Sequence, residues 1–502
     1  MPDKKRGCRF YALAGLLTAA LVVAWTAILL LTPSETPKLD PVEILGPEGA
    51  AKMIPAPREP IRRQENLDLL AQAPEDAPDR RFMEELLKIQ ERDGRDNALI
   101  YYVQAGWLTP DYRESIAPHK ELIEDVLENG WRSPEADALL PLLEACQPAL
   151  AKIREGAALD SARGIGATDG PATPVPNFLA AQTSAKMLCV EGRRLESEGR
   201  YSEALENYLV ALTMGRDFGS EGGVLISHLV AFAIDATALR QISRLEERGN
   251  LGSPDIERIV VRLKRIEETL GTLADAMQTE MVVKLSLLKP LLEDPVKWRK
   301  AFPVLPRSGL PDDDFWGKAA DLVECMTDKQ KRDNYFGRVY DNYRFRQNPQ
   351  RIGRDLEDIN QMQQELTAKP WWGNWQEIEK KFDEKVAASH PWVRVQPFIS
   401  VLQIKERELV MISRLREARL SAALELWKRE QGRYPESLDP LAGRYFENAL
   451  PVDPFSGEPF RYRVAPDGSQ YHLWSIGPDS EDQDGNLSYD PSNGSRSPGD
   501  IF

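Results

Sequence analysis

The stretches LSAALELWKREQGRYP (residues 420–435) and FRYRVAPDGSQYHLWSI (residues 460–476) decide how the C-terminal end of the chain folds. Leading into and through the first, Leu409, Ile412, Arg416, Leu420, Ala423, Leu424 and Trp427 fall on or near one face of a helix running from about Pro397 to Gln431. Gly432 ends that helix and Pro435 prevents its resumption. A short helix is expected from Pro435 to about Arg444, followed by the turn signals Asp453-Pro454 and Ser456-Gly457. In the second stretch Phe460, Tyr462 and Val464 alternate with Arg461 and Arg463, the period of a half-buried strand. Pro466-Asp467-Gly468 makes the turn, and Tyr471 to Ile476 forms the return strand. An acidic loop follows, Gly477 to Asn486, which holds Asp479, Glu481, Asp482 and Asp484.

Upstream, from about Leu67 to Gln431, apolar residues recur at three and four, and Ala, Leu, Glu, Lys and Arg dominate. That pattern predicts a helical middle, residues 67–395. The clearest interruption is Gly164 to Pro176; no strand precedes Gly164-Ile-Gly166 and prolines follow it, so it does not read as a nucleotide loop. Asp312-Asp313-Asp314 reads as a charged helix start, and Trp371, Trp372 and Trp375 as packing.

At the other end, residues 10–32 carry no charge, enough to span the roughly 30 Å hydrocarbon core. Lys4, Lys5, Arg6 and Arg9 flank only the N-terminal side. The positive-inside rule then puts residues 1–9 in the cytoplasm and the bulk of the chain outside it, periplasmic or extracytoplasmic. Leu29-Leu30-Leu31-Thr32-Pro33 is a poor cleavage site, so the segment reads as an anchor. Residues 33–66 are a proline-rich linker.

The 502 residues carry a net charge of −15, which repels phosphate backbones and argues against nucleic acid as a partner. Cys8, Cys146, Cys189 and Cys325 form no CxxC pair and read as inert thiols, with at most one internal disulfide among the last three. The histidines are His119, His228, His390 and His472, and the nucleophile, zinc-protease and phosphate-loop motifs are missing. The chain therefore reads as a non-enzyme.

Two resemblances add to this reading. Residues 188–211 resemble one tetratricopeptide repeat, with Gly192, Gly199, Tyr201, Ala204, Tyr208 and Ala211 at its small and aromatic positions. There Ala204 would let two helices approach, Gly199 would permit the turn and Tyr208 would fill the groove. Glu191 stands where a large apolar residue is usual. A peptide-binding groove or an ordinary helix pair would both satisfy this pattern. The last 90 or so residues resemble the C-terminal domain of the major (G-type) pseudopilin of type II secretion. The matching pieces are Ala422 to Trp427 into Gly432-Arg433-Tyr434-Pro435, Leu450 to Phe455 with Gly457 and Pro459, Tyr471 to Asp479, and Asp500-Ile501-Phe502.

That resemblance implies a small α+β pilin-like domain, residues 397–502, and an acidic loop that binds calcium. Asp479 and Asp500 take the matching positions, with Asp482 and Asp484 as further oxygen donors. A solvated acidic tail without metal would suit the same residues. An EF-hand fits less well, since Pro491 would stand at its bidentate Glu position. The pseudopilin processing site and its following Glu are missing from the membrane segment.

The expected architecture is mainly α: a transmembrane helix, a helical middle and a pilin-like end. The expected function is a membrane-anchored, non-enzymatic envelope protein with a helical scaffold and a C-terminal interaction domain. The alternatives are an accessory component of a type II secretion or pilus-like system, and an extracytoplasmic hydrolase built around His228 or His390 with carboxylates.

Overall fold

The computed structural model describes residues 79–166, 173–220, 222–293, 349–371, 375–390, 401–447, 449–490 and 497–502, with isolated positions between 68 and 77 and at 393. The expected transmembrane segment, the proline-rich linker, Asp312–Asp314, Cys325 and Trp372 lie outside the described residues, as does the side chain of Trp375.

The described residues are mainly helical with one two-stranded sheet. In order come α1 (Arg80–Asp93), α2 (Ala98–Leu108), α3 (Lys120–Asn129), α4 (Leu140–Ala157), α5 (Phe178–Ser197), α6 (Tyr201–Phe218), α7 (Leu225–Glu247) and α8 (Ser253–Glu268). Then follow α9 (Leu273–Glu293), α10 (Pro349–Ala368), α11 (Trp375–Ala388), α12 (Val401–Gln431), β1 (Arg461–Val464) and β2 (Tyr471–Trp474).

Local chemistry sets the helix ends. Asn97 caps α2 by accepting from the Leu99 N–H at 3.2 Å, and its amide donates to the Arg163 carbonyl at 2.9 Å. One side chain thus starts a helix and pins the loop 66 residues away. The loop from Gly164 docks on Gly222: a Cβ on Gly164 would stand 2.5 Å from the Gly222 carbonyl oxygen, and the Gly166 N–H donates to that oxygen. Close backbone approach explains these glycines.

Helices α5 and α6 form a hairpin that turns through Gly199, whose φ of +76° suits glycine. Tyr208 of α6 is fully buried, with its ring against Gly192 of α5. Its hydroxyl donates to Glu196 at 2.5 Å, and the same carboxylate accepts from Arg193 and Arg248. Glu191 is paired with Arg194 at 2.9 Å, which accounts for a carboxylate at an apolar position.

Helix α7 is long and apolar enough to cross a bilayer, but most of it is buried among other helices. It packs on α5, α6 and α12 and belongs to the main core.

Helix α12 is the common beam of the molecule. Met411, Leu415, Ala418, Ala422 and Leu426 recur at four, three, four and four, and enter the main core beside α7 and α8. Leu420, Ala423 and Leu424, on another face, join Tyr434, Leu438, Leu441, Phe446, Phe460 and Leu473 in a second core. Leu409 reaches a third, with Trp371, Phe455, Ile476, Tyr489 and Ile501. Trp371 meets the Phe455 ring edge-on at 5.8 Å.

Gly432, with φ of +78°, ends α12. The short helix expected after Pro435 is only a 3-10 turn, Asp439–Leu441. Pro435 and Pro440 remove helix donors, and Gly443 turns left-handed at φ of +72°. β1 and β2 pair antiparallel, with Arg461 opposite Trp474 and Val464 opposite Tyr471. The expected turn lies between them, Gly468 at φ of +68°.

Candidate functional site

The acidic loop is closed by the chain's own end. Ile501 exchanges both backbone hydrogen bonds with Ser475, and Asp500 is tied to Leu487 and Tyr489. Asp500, fully buried, accepts from the Gly485 N–H at 2.8 Å and the Gln483 N–H at 3.3 Å. Gly485 sits on the His472 ring so closely that a Cβ there would stand 2.3 Å from it. The His472 ring itself lies between Trp474 and Phe502, so it packs the loop onto the sheet.

The four candidate acids divide into two pairs. Asp479 accepts from the Gly499 N–H at 3.1 Å and from Gln483 Nε2 at 2.9 Å, beside Asp500. Burial raises the Asp500 carboxyl above its ordinary range; the Gly485 and Gln483 N–H groups oppose this, and the charges of Asp482 and Asp479 add to it. Asp482 and Asp484 are turned to the sheet. Asp482 accepts from Trp474 Nε1 at 3.0 Å and Arg461 Nε at 2.9 Å, and Asp484 pairs with Arg463 at 3.4 Å. Against the cost of burial, the Trp474, Asp484 N–H and Arg461 donors hold Asp482 below the usual carboxylate range. Among the described residues no three His, Cys, Asp or Glu side chains are grouped to hold a metal ion. Among the described residues Gln483 Oε1 is buried without a hydrogen-bond partner, on the side chain that holds Asp479.

Asp453 is a residue whose weight sequence reasoning missed. It is buried and accepts from the Phe455 N–H (2.9 Å), Ser456 Oγ (3.1 Å), Ser475 Oγ (2.7 Å) and Ile476 N–H (3.1 Å). It joins the Asp453-Pro454 turn to the end of β2. In the sequence, the Asp-Pro dipeptide signalled only the turn.

A second site lies between the helical body and α12. A cavity of about 790 Å³ is lined from α6, α7, α8, the start of α9, α10, α12 and the segment 446–451. Helix α7 contributes His228, Ala231, Phe232 and Asp235, positions i, i+3, i+4 and i+7 of one stripe. Helix α12 contributes Lys405, Glu408, Met411, Ile412, Arg416 and Arg419.

Most charges here are paired across elements. Lys405 meets Glu408 at 2.7 Å, and Glu408 also accepts from the Leu273 N–H at the start of α9. Arg416 (2.7 Å) and Arg419 (3.3 Å) share Glu267 of α8. Lys264 meets Glu447 at 2.7 Å near the rim. Asp235 is different. It is 1% exposed, and among the described residues its Oδ1 has no hydrogen-bond partner. It stands where Gly215 leaves room, since a Cβ there would be 2.0 Å from Oδ1. Burial raises its carboxyl well above the ordinary range, with Arg216 opposing and Asp217 adding. His228, 2% exposed, has the backbone of Gly271 and Thr272 beside its ring, yet neither nitrogen completes a hydrogen bond. Burial lowers its pKa and keeps the ring neutral, against the pull of Glu408 and Asp275.

His390 lies elsewhere, buried, with its backbone N–H on Asp355 at 2.6 Å. No sequence pattern announced the cavity, because its walls come from segments more than two hundred residues apart, Gly215 to Pro451. Comparison with protein-family models, with curated proteins and with solved structures gives no match.

Proposed function

We propose that the chain is a membrane-anchored, non-enzymatic envelope protein whose helical body holds a C-terminal interaction module in a fixed pose. One observation supports this above all: α12 belongs at once to the main core and to the core under the hairpin. A module built on such a beam is presented without freedom to swing. The test is a photo-crosslinking residue in place of exposed Asp467, at the hairpin tip, in spheroplasts. A discrete adduct with an envelope protein is expected. A pilin-like subunit in that adduct would select the secretion-machine form of the reading. No adduct, or adducts with cytoplasmic proteins alone, sinks the interaction role.

Calcium belongs to the proposal in a narrower form than the sequence suggested. Asp479, Asp500 and the open Gln483 oxygen supply hard oxygen donors at one corner of the loop, while Asp482 and Asp484 are engaged by arginines. Calcium should raise the Tm of the full chain, and Asp479→Asn should abolish the shift. Equal melting in calcium and in chelator removes the metal claim. An isolated fragment 397–502 is the wrong sample, because it would bare the stripe from Met411 to Leu426.

The extracytoplasmic hydrolase keeps one supporting observation, a cavity that gathers His228 with Asp235 and Glu408. A catalytic imidazole needs an orienting acceptor on one nitrogen and a nucleophile or water on the other. His228 has no hydrogen-bonded carboxylate, and Glu408 is spent on Lys405 and the Leu273 N–H. Binding suits this arrangement better than turnover.

A further inference from the structure

The cavity beneath α12 has walls in electrostatic balance except at one point. Arg216 gives its Nε to Asp217 at 2.8 Å; Lys405, Lys264, Arg416 and Arg419 each have a carboxylate partner. Among the described residues Asp235 has no partner, although it is 1% exposed and lines the cavity. A buried carboxyl with no partner avoids the cost of charge by holding its proton, and burial raises Asp235 well above the ordinary range. A cation beside it would let it ionise and form a charge-assisted pair.

We propose that this cavity binds a small primary amine, a monocation whose ammonium group donates to Asp235. Three features fit that ligand. An ammonium offers three donors to a single carboxylate without needing the several oxygens that a metal ion requires. Phe232, Leu270, Leu273 and Met411 give the organic part an apolar wall. His228, kept neutral by burial, offers one acceptor and one donor to a hydroxyl or carbonyl on the same molecule. The volume of about 790 Å³ lies in the range of small-molecule sites. The rim is open to solvent: the Glu268 and Glu447 side chains are 61% and 78% exposed. This inference does not depend on where the chain resides or on what the hairpin touches.

The probes are n-butylamine and 1-butanol, which share a carbon chain and differ in charge. Binding to the purified full-length chain is followed by thermal shift and calorimetry. A saturable Tm rise with butylamine, absent with butanol, is expected. Asp235→Asn should weaken butylamine binding at least tenfold, whereas Glu155→Gln, exposed on α4 and paired with Lys152 of the same helix, should leave it unchanged. Amide exchange on the unsubstituted chain gives a readout that no variant's folding can spoil: butylamine should slow exchange within Leu225–Glu247. The proposal is overturned if butylamine fails to bind. It is equally overturned if butanol binds as well, which would mark binding by the apolar wall alone, if Asp235→Asn binds at full affinity, or if α7 gains no protection.

Discussion

Replacing Gly192 with Ala should destabilise the α5–α6 hairpin, although Ala is the better helix former. The added Cβ would lie 2.2 Å from Tyr208 Cε1, 2.7 Å from Cζ and 2.9 Å from the hydroxyl oxygen. The ring is fully buried and has no free volume to retreat into. Overpacking of this kind costs about 1–3 kcal/mol. Moving the ring also breaks its hydrogen bond to the Glu196 carboxylate, and bonds to charged groups are worth about 1.5–3 kcal/mol. Helix propensity returns about 1 kcal/mol. The balance is a net loss of roughly 1.5–5 kcal/mol. A chain of this size need not unfold in one step, so native-state amide exchange across Leu188–Ala211 is the suitable assay. Faster exchange there, with little change in α1 or the β-hairpin, is expected. If Gly192→Ala protects those amides as well as the unsubstituted chain does, the glycine is not there for the tyrosine and the packing argument fails.

Three further outcomes follow from buried polar groups. Asp453→Ala strands four donors and should cost at least about 3 kcal/mol, read as a lower Tm with the loss concentrated in residues 453–476. Burial pushes Glu417 up to about 8 from its ordinary 4.5; Arg414 opposes, and Asp453 and Glu247 add. An acid whose folded pKa is raised is held protonated by the fold, so stability is full at low pH and falls as pH climbs from about 4.5 to 8. Glu417→Gln should therefore melt like the parent near pH 4.5 and above it at pH 8, by no more than about 4 kcal/mol; parallel Tm curves would refute this. Cys146 and Cys189 are free and buried, and burial pushes their thiols up to about 11 and about 12. Both should resist maleimide in the native chain and react after unfolding.

The parts legible in the sequence were those fixed by neighbours along the chain. The end of α12 at Gly432, the β1–β2 alternation and the turn at Gly468 are local events, and residues 428–476 encode them directly. Gly199 and Tyr208 carried enough local pattern to suggest a turn and a filled groove. The helix expected after Pro435 shrank to a single turn because two prolines and Gly443 outweighed its apolar spacing. The acidic loop was visible as charge, but its division was not. Which acid meets Arg461 or Arg463, and which caps Gly485, depends on the C-terminal residues returning beside Ser475. The cavity was illegible for the same reason: His228 and Asp235 read as ordinary helix residues until α12 is laid across them.

The beam role of α12 also bears on how the protein is made. Roughly four hundred residues must be synthesised before the stripe that finishes the main core exists, and Leu426 is among the last of its contributors. Until then the groove between α7 and α8 is an oily trough awaiting its lid. A message cut short anywhere before residue 426 would yield a sticky product for proteases to clear, and a nascent chain would depend on chaperones until its final fifth emerges.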